Sequence, residues 1–168
     1  MAVENKWVDT NVEAGKKGLP ANIMPGKVFA LAANFDIAAA DTDASIYKVA
    51  QLNSNLVPLQ IKINSDSSLG TSSISLGLYD EAGNAVDVDC FAAASDYTSG
   101  AAMGSELDGL TALPIEDIGK PLWKIASVVA AKSYTAAKHP DSFVLAFTAP
   151  TTGGAEGTIS IRGLFIQG

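Results

Sequence analysis

The sequence predicts an all-β protein: an antiparallel β-sandwich with jelly-roll-like crossing, one short helix and an extended N-terminal arm. Apolar residues recur at every second position in several segments, among them residues 74–78, 86–90 and 143–147. In a strand, this spacing gives one buried face and one outer face. Turn-forming residues separate six to eight such segments, which is typical of sandwiches and related all-β folds.

The chain divides into an extended arm, residues 1–26, and a β-sandwich domain, residues 27–168. Prolines and glycines interrupt the arm, so that it cannot form regular elements or a core of its own. Its apolar residues Trp7, Ile23 and Met24 are unfavourable in water. A frayed terminus is one interpretation. The other is an arm that lies along its own domain or along a neighbour, which makes these three residues the candidate partner-binding set.

Three strands are predicted at the start of the domain, at residues 28–37, 45–52 and 57–64. Apolar side chains alternate with polar ones most clearly in the third. Pro58 has no N–H to donate to a ladder, which places it at a strand start or on an edge. Residues 53–55 provide the turn before this strand.

The next two strands are predicted to form a hairpin with a three-residue loop, residues 81–83. Paired residues share a face of the sheet, so Leu78 is expected opposite a residue such as Val86. Asp80 then opens a type I turn, Gly83 takes the left-handed position and a bulge follows. The residues expected on the shared core face are Ile74, Leu76, Leu78, Val86, Val88 and Cys90.

One helix is predicted, beginning at Pro121, which suits the first helical position, and ending near Lys132. We expect it to close one end of the sandwich. The apolar residues at helical spacing are Leu122, Ile125, Ala126 and Val129.

The remaining segments are predicted as a loop and a terminal hairpin. Residues 97–113, rich in glycine and alanine, are expected to form the loop. Residues 142–148 and 157–166 are expected to pair as the hairpin, joined by the flexible segment 149–156.

Charge and hydropathy narrow the classes of partner. Acidic residues outnumber basic ones by 18 to 11, and the densest basic site is only Lys16-Lys17. Nucleic-acid binding requires clustered cations, so neither nucleic acid nor an acidic membrane is expected as a partner. Charged residues make up only 17% of the chain. Either neighbouring subunits cover part of the surface or small, alanine-rich strands raise the hydropathy.

The sequence shows no secretory signal, because residues 1–15 carry acidic residues and no apolar core region. No segment is long and apolar enough to span a bilayer. We therefore expect synthesis in the cytoplasm.

Residues able to perform catalysis are scarce. His139, the only histidine, lies in a turn-like sequence with no nucleophile or orienting partner nearby, so we expect a surface turn residue. Cys90, the only cysteine, is expected to be a buried, inert thiol. No phosphate-binding loop or zinc pattern is present. No enzyme activity and no cofactor are predicted.

Two pairs of carboxylates remain as metal candidates, Asp41 with Asp43 and Asp87 with Asp89. Residues two apart on a strand share a face, so Asp87 and Asp89 could bind calcium with added backbone oxygens. No full ligand loop is visible, and a solvated strand face is the favoured interpretation. No metal site is predicted.

The order of these features resembles a family of small virion proteins of tailed bacteriophages. The resemblance rests on residues 44–49, 57–63 and 70–80, and then on residues 119–123 and the terminal segment 143–166. It implies a non-enzymatic β-sandwich that decorates or cements the outer surface of the capsid, commonly as a homotrimer. The implied partners are the major capsid protein and further copies of the chain. The arm is not clearly covered.

Two other functions remain open. A tail or baseplate component of the same virion would share the strand pattern. A carbohydrate-binding sandwich module would need exposed aromatic residues on a strand face or loop. The candidate aromatics are Tyr47, Tyr79, Tyr97 and Tyr134.

Overall fold

A computed structural model describes residues 5–7, 28–65, 73–93, 106–129, 133–151 and 156–167. This part of the chain contains nine strands and one helix. In chain order they are β1 (Asn5–Trp7), β2 (Val28–Ile37), β3 (Ser45–Asn53), β4 (Leu56–Ser65), β5 (Ser73–Tyr79), β6 (Ala85–Ala92), β7 (Glu106–Asp108), α1 (Leu122–Val129), β8 (Ser142–Thr151) and β9 (Gly157–Gln167).

The strands form two sheets that pack face to face. Sheet 1 has the order β1-β3-β8-β5-β6 and sheet 2 the order β2-β9-β4-β7. Every pairing is antiparallel except that of β1 with β3. Between the sheets, the ring of Phe35 stacks on Tyr47 at 5.1 Å and contacts Phe147 at 5.3 Å. The predicted all-β sandwich is confirmed.

The chain crosses between the sheets where the sequence suggested simple turns. Strand β3 lies in sheet 1 and β4 in sheet 2, and β8 and β9 are divided in the same way. The predicted terminal hairpin is therefore wrong, because β8 pairs with β3 and β5 while β9 pairs with β2 and β4. Alternation identifies the buried face of each strand, but two inner faces of a sandwich have the same pattern. These crossings give the jelly-roll-like connectivity.

The other predicted elements are present with small changes of extent. The helix follows Pro121 directly, and Leu122 and Ile125 are buried. The Trp123 N–H donates to the Ser54 carbonyl at 3.0 Å, which fixes the start of the helix beside the β3–β4 crossing. Lys132, the expected helix end, lies outside the described residues. The prediction of a loop at residues 97–113 is wrong at β7, which pairs with β4.

The β5–β6 hairpin has the predicted turn and a different register. Gly83 has φ of 88° and donates its N–H to the Asp80 carbonyl at 3.0 Å. Leu78, however, pairs with Asp87 rather than Val86, because the ladder is irregular on both sides of this pair. Val88 consequently packs in a different cluster from Cys90. The expectation that Val88 shares the core face was wrong.

Gly77 explains why β6 departs from a regular ladder. A Cβ at this position would lie 2.1 Å from the Asp87 carbonyl oxygen and 2.4 Å from the Val88 carbonyl carbon. The backbone of β6 therefore approaches β5 so closely that only glycine fits. The approach carries Val88 to the outer side of sheet 1.

Candidate interaction surfaces

One end of the outer face of sheet 2 is apolar. Strand pairing places Val28, Ile166 and the buried Val57 in one row across β2, β9 and β4, and Ala30, Leu164 and the exposed Gln60 in the next row. Val28 is 61% exposed and Leu164 39%. The "apolar patch" of sheet 2 consists of Val28, Ala30, Leu59, Leu164 and Ile166.

Beyond the apolar patch the same face becomes polar. The following row consists of Ala32, Arg162 and Lys62. In the register of β4 and β7, Lys62 lies opposite Asp108. These charges therefore border the apolar patch on this side. Exposed apolar side chains that are contiguous and rimmed by polar ones are typical of contact surfaces between proteins.

The centre of the outer face of sheet 1, by contrast, is buried. Its central residues are small or form internal contacts, and Tyr79 hydrogen-bonds to the Thr148 hydroxyl with 2.5 Å between the oxygens. Burial raises the pKa of Tyr79, and this hydrogen bond opposes the shift. The buried outward residues are Ser75, Gly77, Tyr79, Val144, Ala146 and Thr148.

A second exposed apolar feature is the "isoleucine loop", residues 114–120, which leads into α1. Ile115 is 85% exposed and Ile118 53%. Two successive turns shape the loop: the Asp117 N–H donates to the carbonyl three residues earlier at 2.8 Å, and the Lys120 N–H donates to the Asp117 carbonyl at 3.1 Å. The Asp117 carboxylate is buried and forms an ion pair with the Lys120 ammonium.

The segment before the isoleucine loop, residues 109–113, is hydrogen-bonded to both sheets. The Gly109 N–H donates to the Ile61 carbonyl of β4 at 2.8 Å, and the Ala112 N–H donates to the Phe91 carbonyl of β6 at 3.0 Å. Leu113 is buried in the core. The loop therefore leaves a fixed point of the sandwich and enters the helix, whose inner face is also buried.

His139 is not the free surface residue that the sequence suggested. Its ring stacks on Trp123, with 5.3 Å between centroids and 7° between planes. Its Nδ1 lies 2.9 Å from the Pro140 carbonyl oxygen and 3.0 Å from the Ser54 hydroxyl. A carbonyl only accepts, so we assign the proton to Nδ1, which then cannot take one from Ser54. Ser54 is also buried, so this serine and histidine do not form a catalytic pair.

Ser54 was missed because it lies 85 positions from His139 in the sequence. Their contact depends on the β3–β4 crossing, which brings the turn at Ser54 against the segment before β8. A turn serine carries no sequence signal for such a partner.

Cys90 is buried, as predicted, and burial raises its thiol pKa well above the usual range. Asp41 is buried too. Its Oδ2 accepts from the Tyr47 hydroxyl at 2.7 Å and from the Ala38 N–H at 3.1 Å, so it stabilises a turn.

Asp87 and Asp89 interact with each other. Partial burial raises the pKa of Asp87, and the Asp89 carboxyl raises it further. The Asp89 N–H donates to Asp87 Oδ1 at 3.1 Å. Among the described residues, no group of three or more histidine, cysteine or acidic side chains could hold a metal ion.

Of the three candidate residues of the arm, only Trp7 lies within the described residues. The backbone of β1, which ends at Trp7, pairs in parallel with residues 46–48 of β3. Ile23 and Met24 lie outside the described residues. No helix in the described part of the chain is long and apolar enough to cross a membrane.

The aromatic candidates for sugar binding are mostly unavailable. Tyr47 and Tyr79 are each 2% exposed, Tyr134 packs on Phe143, and Tyr97 lies outside the described residues. An aromatic platform therefore does not form from the buried pair.

Comparison with known proteins identifies the fold. No family model and no curated protein matches the sequence. Among solved structures, a chain in the capsid of Ralstonia phage GP4 matches with a TM-score of 0.58 and 16% identity, covering 98% of both chains. A chain in the capsid asymmetric unit of cyanophage Pam1 matches with a TM-score of 0.51 and 13% identity, covering 90% of this chain and 93% of that one. The chain thus has a capsid-like, jelly-roll type β fold.

Proposed function

We propose that this chain is a non-enzymatic structural protein of a phage virion, a capsid decoration or cement protein that binds the outer surface of the head and stabilises it. The observation that carries the proposal is the fold similarity to chains of two phage capsids over almost the whole length of each chain. The virion is then its location, and the major capsid protein of the same particle is its principal partner.

The distribution of exposed apolar side chains supports decoration rather than formation of the shell itself. A shell-forming subunit needs extensive contacts with neighbours around its perimeter. Here the central residues of the outer face of sheet 1 are buried. The large exposed apolar residues of the described chain lie in the apolar patch, in the isoleucine loop and at Val128 of α1. Such restricted surfaces suit attachment to a shell that has already formed.

Self-association as a homotrimer is part of the proposal. The apolar patch of sheet 2 is the face of small and apolar residues that such an assembly requires. Stable interfaces bury roughly 800 Å² per partner, more than five side chains provide, so further contacts must contribute. Light scattering after size exclusion tests this: a trimer mass is expected, and a monomer at high micromolar concentration contradicts self-association off the capsid.

The N-terminal arm is proposed to supply some of those contacts through Trp7, Ile23 and Met24. Only three residues of β1 pair with β3, a short addition to a sheet that already has four other strands. Deleting residues 1–26 should leave the sandwich folded and weaken attachment. Equal binding by the truncated chain would refute the role of the arm, and failure to fold would show that the arm belongs to the core.

The decisive experiment uses heads from a phage lacking this gene. The purified chain should co-sediment with these heads at a saturable number of copies and raise their melting temperature. Absence from heads combined with presence in isolated tails would instead favour a tail or baseplate component. Binding to a glycan array without head binding would favour a carbohydrate-binding module.

A further inference from the structure

We propose that the isoleucine loop of one copy of this chain covers the apolar patch of a neighbouring copy, with Glu116 of the loop against Arg162 beside the patch. Each copy offers its loop to one neighbour and its patch to the other. The inference rests on the homotrimer of the proposed function, and it names the two surfaces that hold the trimer together.

The symmetry of a trimer requires two different surfaces at each contact. A surface that binds the same surface of a partner joins two copies about a twofold axis, and no third copy can then use it. A ring of three copies instead repeats a contact between two different surfaces around its axis. The apolar patch therefore needs a complementary surface elsewhere on the chain.

The isoleucine loop is the second apolar surface of the described chain. Val28, Leu59 and Leu164 of the patch are exposed, and so are Ile115 and Ile118 of the loop. Within one copy the two surfaces therefore do not cover each other. Packing the loop of one copy on the patch of another removes from water five of the six large exposed apolar side chains of the described residues. The hydrophobic effect favours this burial.

The loop and the patch belong to different parts of the sandwich. The segment before the loop hydrogen-bonds to Ile61 of β4 and to Phe91 of β6, so the loop starts at a place where sheet 2 meets sheet 1. The patch lies on the outer face of sheet 2, across β2, β9 and β4. A rotated neighbour can thus bring its loop to the patch of one copy while its own patch stays available to the third.

The loop is held in one conformation before it makes this contact. Its ends are fixed by the buried residues Leu113 and Leu122, and its centre by the buried Asp117 carboxylate paired with Lys120. A loop that is ordered before binding loses less conformational entropy when it binds. The two isoleucines are therefore presented to the patch at low entropic cost.

Charge complementarity identifies the occupant of the patch. Arg162 is exposed and lies two residues from Leu164 on β9, which places both side chains on the same outer face. In the loop, Glu116 is exposed between the two isoleucines, whereas Asp117 is already paired with Lys120. The patch is thus apolar with a cation at its border, and the loop is apolar with an anion at its centre. Because opposite charges across an interface fix its register, the loop of a second copy is the occupant to which we commit.

Light scattering after size exclusion tests the contact with full-length variants. The loop variant I115S/I118S and the patch variant V28S/L164S should each weaken self-association about tenfold or more, because each removes apolar anchors of the same contact. V128S is the matched control, since Val128 is 55% exposed on α1, close to the 53% of Ile118, and lies outside both surfaces. It should associate as the unaltered chain does. Equal weakening by V128S would show that general surface hydrophobicity governs association, which refutes the contact.

Mixing the loop variant with the patch variant tests whether two different surfaces meet. The intact patch of the first can bind the intact loop of the second, and the altered surfaces then lie at the two ends of the pair. The mixture should therefore form a dimer and no larger species, at concentrations where each variant alone is a monomer. If the patch bound the same patch of a partner, the loop variant would associate by itself, and the inference would fail.

Reversal of the two charges tests the register of the contact. Glu116→Arg and Arg162→Glu each bring like charges together and should weaken self-association about threefold or more. E116R/R162E restores opposite charges between copies, so it should associate more tightly than either single variant. Both side chains are exposed, so circular dichroism should show these variants folded, and they provide the test if a serine variant does not fold. A double variant that associates no more tightly than the single ones would refute the pairing.

Binding to heads from the phage lacking this gene separates this contact from the decoration function. If the loop variant keeps its oligomer mass and loses head binding, the loop docks onto the shell, which refutes the contact between copies while decoration stands. A monomeric unaltered chain at high micromolar concentration also refutes the contact, and head binding then tests decoration by itself. If the variants associate as expected and the unaltered chain does not bind heads, decoration fails and the contact stands.

Discussion

The two sheets of this sandwich use the same alternation of residues for different purposes. Val144 on the outer face of sheet 1 is 2% exposed, whereas Val28 on the outer face of sheet 2 is 61% exposed. Both are valines that point away from the central core. The sequence pattern around them is alike, but their surroundings differ, so the outward side of a strand is not necessarily a solvent-facing side.

The difference arises from what covers each face. In sheet 1, Gly77 allows the backbone of β6 to come over β5, and Val88 packs with Tyr79 and Val144 in a second small cluster. In sheet 2, Val28, Leu59 and Leu164 of the apolar patch remain exposed. We therefore assign a packing role to the outer face of sheet 1 and a contact role to that of sheet 2.

The largest loss of stability is expected for a substitution that disturbs the packing on the outer face of sheet 1. Gly77→Ala places a Cβ about where the Asp87 carbonyl lies, so β6 must move and the free energy of unfolding should fall by about 3 kcal/mol or more. Gly119→Ala is the control: nothing lies within 4 Å of its Cβ, and only its positive φ opposes the change. That variant should lose about 1–2 kcal/mol. Urea denaturation measures both, and equal losses would contradict the close approach at Gly77.

A matched pair of valine substitutions tests the comparison itself. Val144→Thr adds a hydroxyl in a buried setting and should lower the free energy of unfolding by about 1–3 kcal/mol. Val28→Thr makes the same change in water and should alter it by less than about 0.5 kcal/mol. Val28→Thr should nevertheless reduce oligomer mass in light scattering. If the two variants lose the same stability, the two outer faces do not differ as described.

A smaller loss of stability is expected at His139, which contacts Ser54 at the β3–β4 crossing between the sheets. His139→Ala removes the stacking on Trp123 and leaves the buried Ser54 hydroxyl without its imidazole contact. A loss of about 1 kcal/mol is expected in thermal melts. The sequence suggested a surface turn residue, whose replacement would leave stability nearly unchanged. A variant as stable as the unaltered chain would restore that interpretation.

The smallest effects concern two aspartates of the β5–β6 hairpin, whose pKa values shift in opposite directions. Slight burial raises the pKa of Asp80, but hydrogen bonds from Asn84 and from the N–H groups of Ala82 and Gly83 outweigh it and lower the pKa below its usual 3.8. Asp80 therefore stabilises the fold above that pH and loses this effect in acid. Asp87 has a raised pKa, so its ionised form opposes folding near neutral pH.

Melts of the two amide variants at about pH 7 and about pH 3 test these signs. Asp80→Asn should lower the melting temperature at neutral pH and Asp87→Asn should raise it slightly. Both differences should shrink in acid, where the carboxyls bind protons. The effects should be small, since solvent screens both carboxyls. Shifts of the same sign at neutral pH would contradict the opposite environments.

The sequence predicts elements here better than it predicts their partners. Alternation locates β2 to β6, β8 and β9, and Pro121 with its spacing locates the helix, because these depend on neighbouring residues. It did not predict the division of β8 and β9 between sheets, because both inner faces of a sandwich look alike. It also missed β1 and β7, each only three residues long; β1 lies in the arm, where no regular element was expected.

The candidate interaction surfaces, too, could be predicted only in part from the sequence. The apolar side chains of the arm, which prolines and glycines interrupt, directed attention to Trp7, Ile23 and Met24, and composition indicated an apolar face without saying which. The apolar patch became recognisable only from the register of three strands. The isoleucine loop lies between the predicted loop, which ended at residue 113, and the predicted helix, and nothing in its sequence marks Ile115 as exposed. Exposure of an isoleucine depends on the fold around it.

A cryo-EM map of the mature virion tests the central claim most directly. We expect separate two-sheet densities on the outer surface of a complete shell, with the apolar patch against another copy. Density for this chain only in the tail or baseplate, or as the closed shell itself, would contradict the claim that it is a decoration protein.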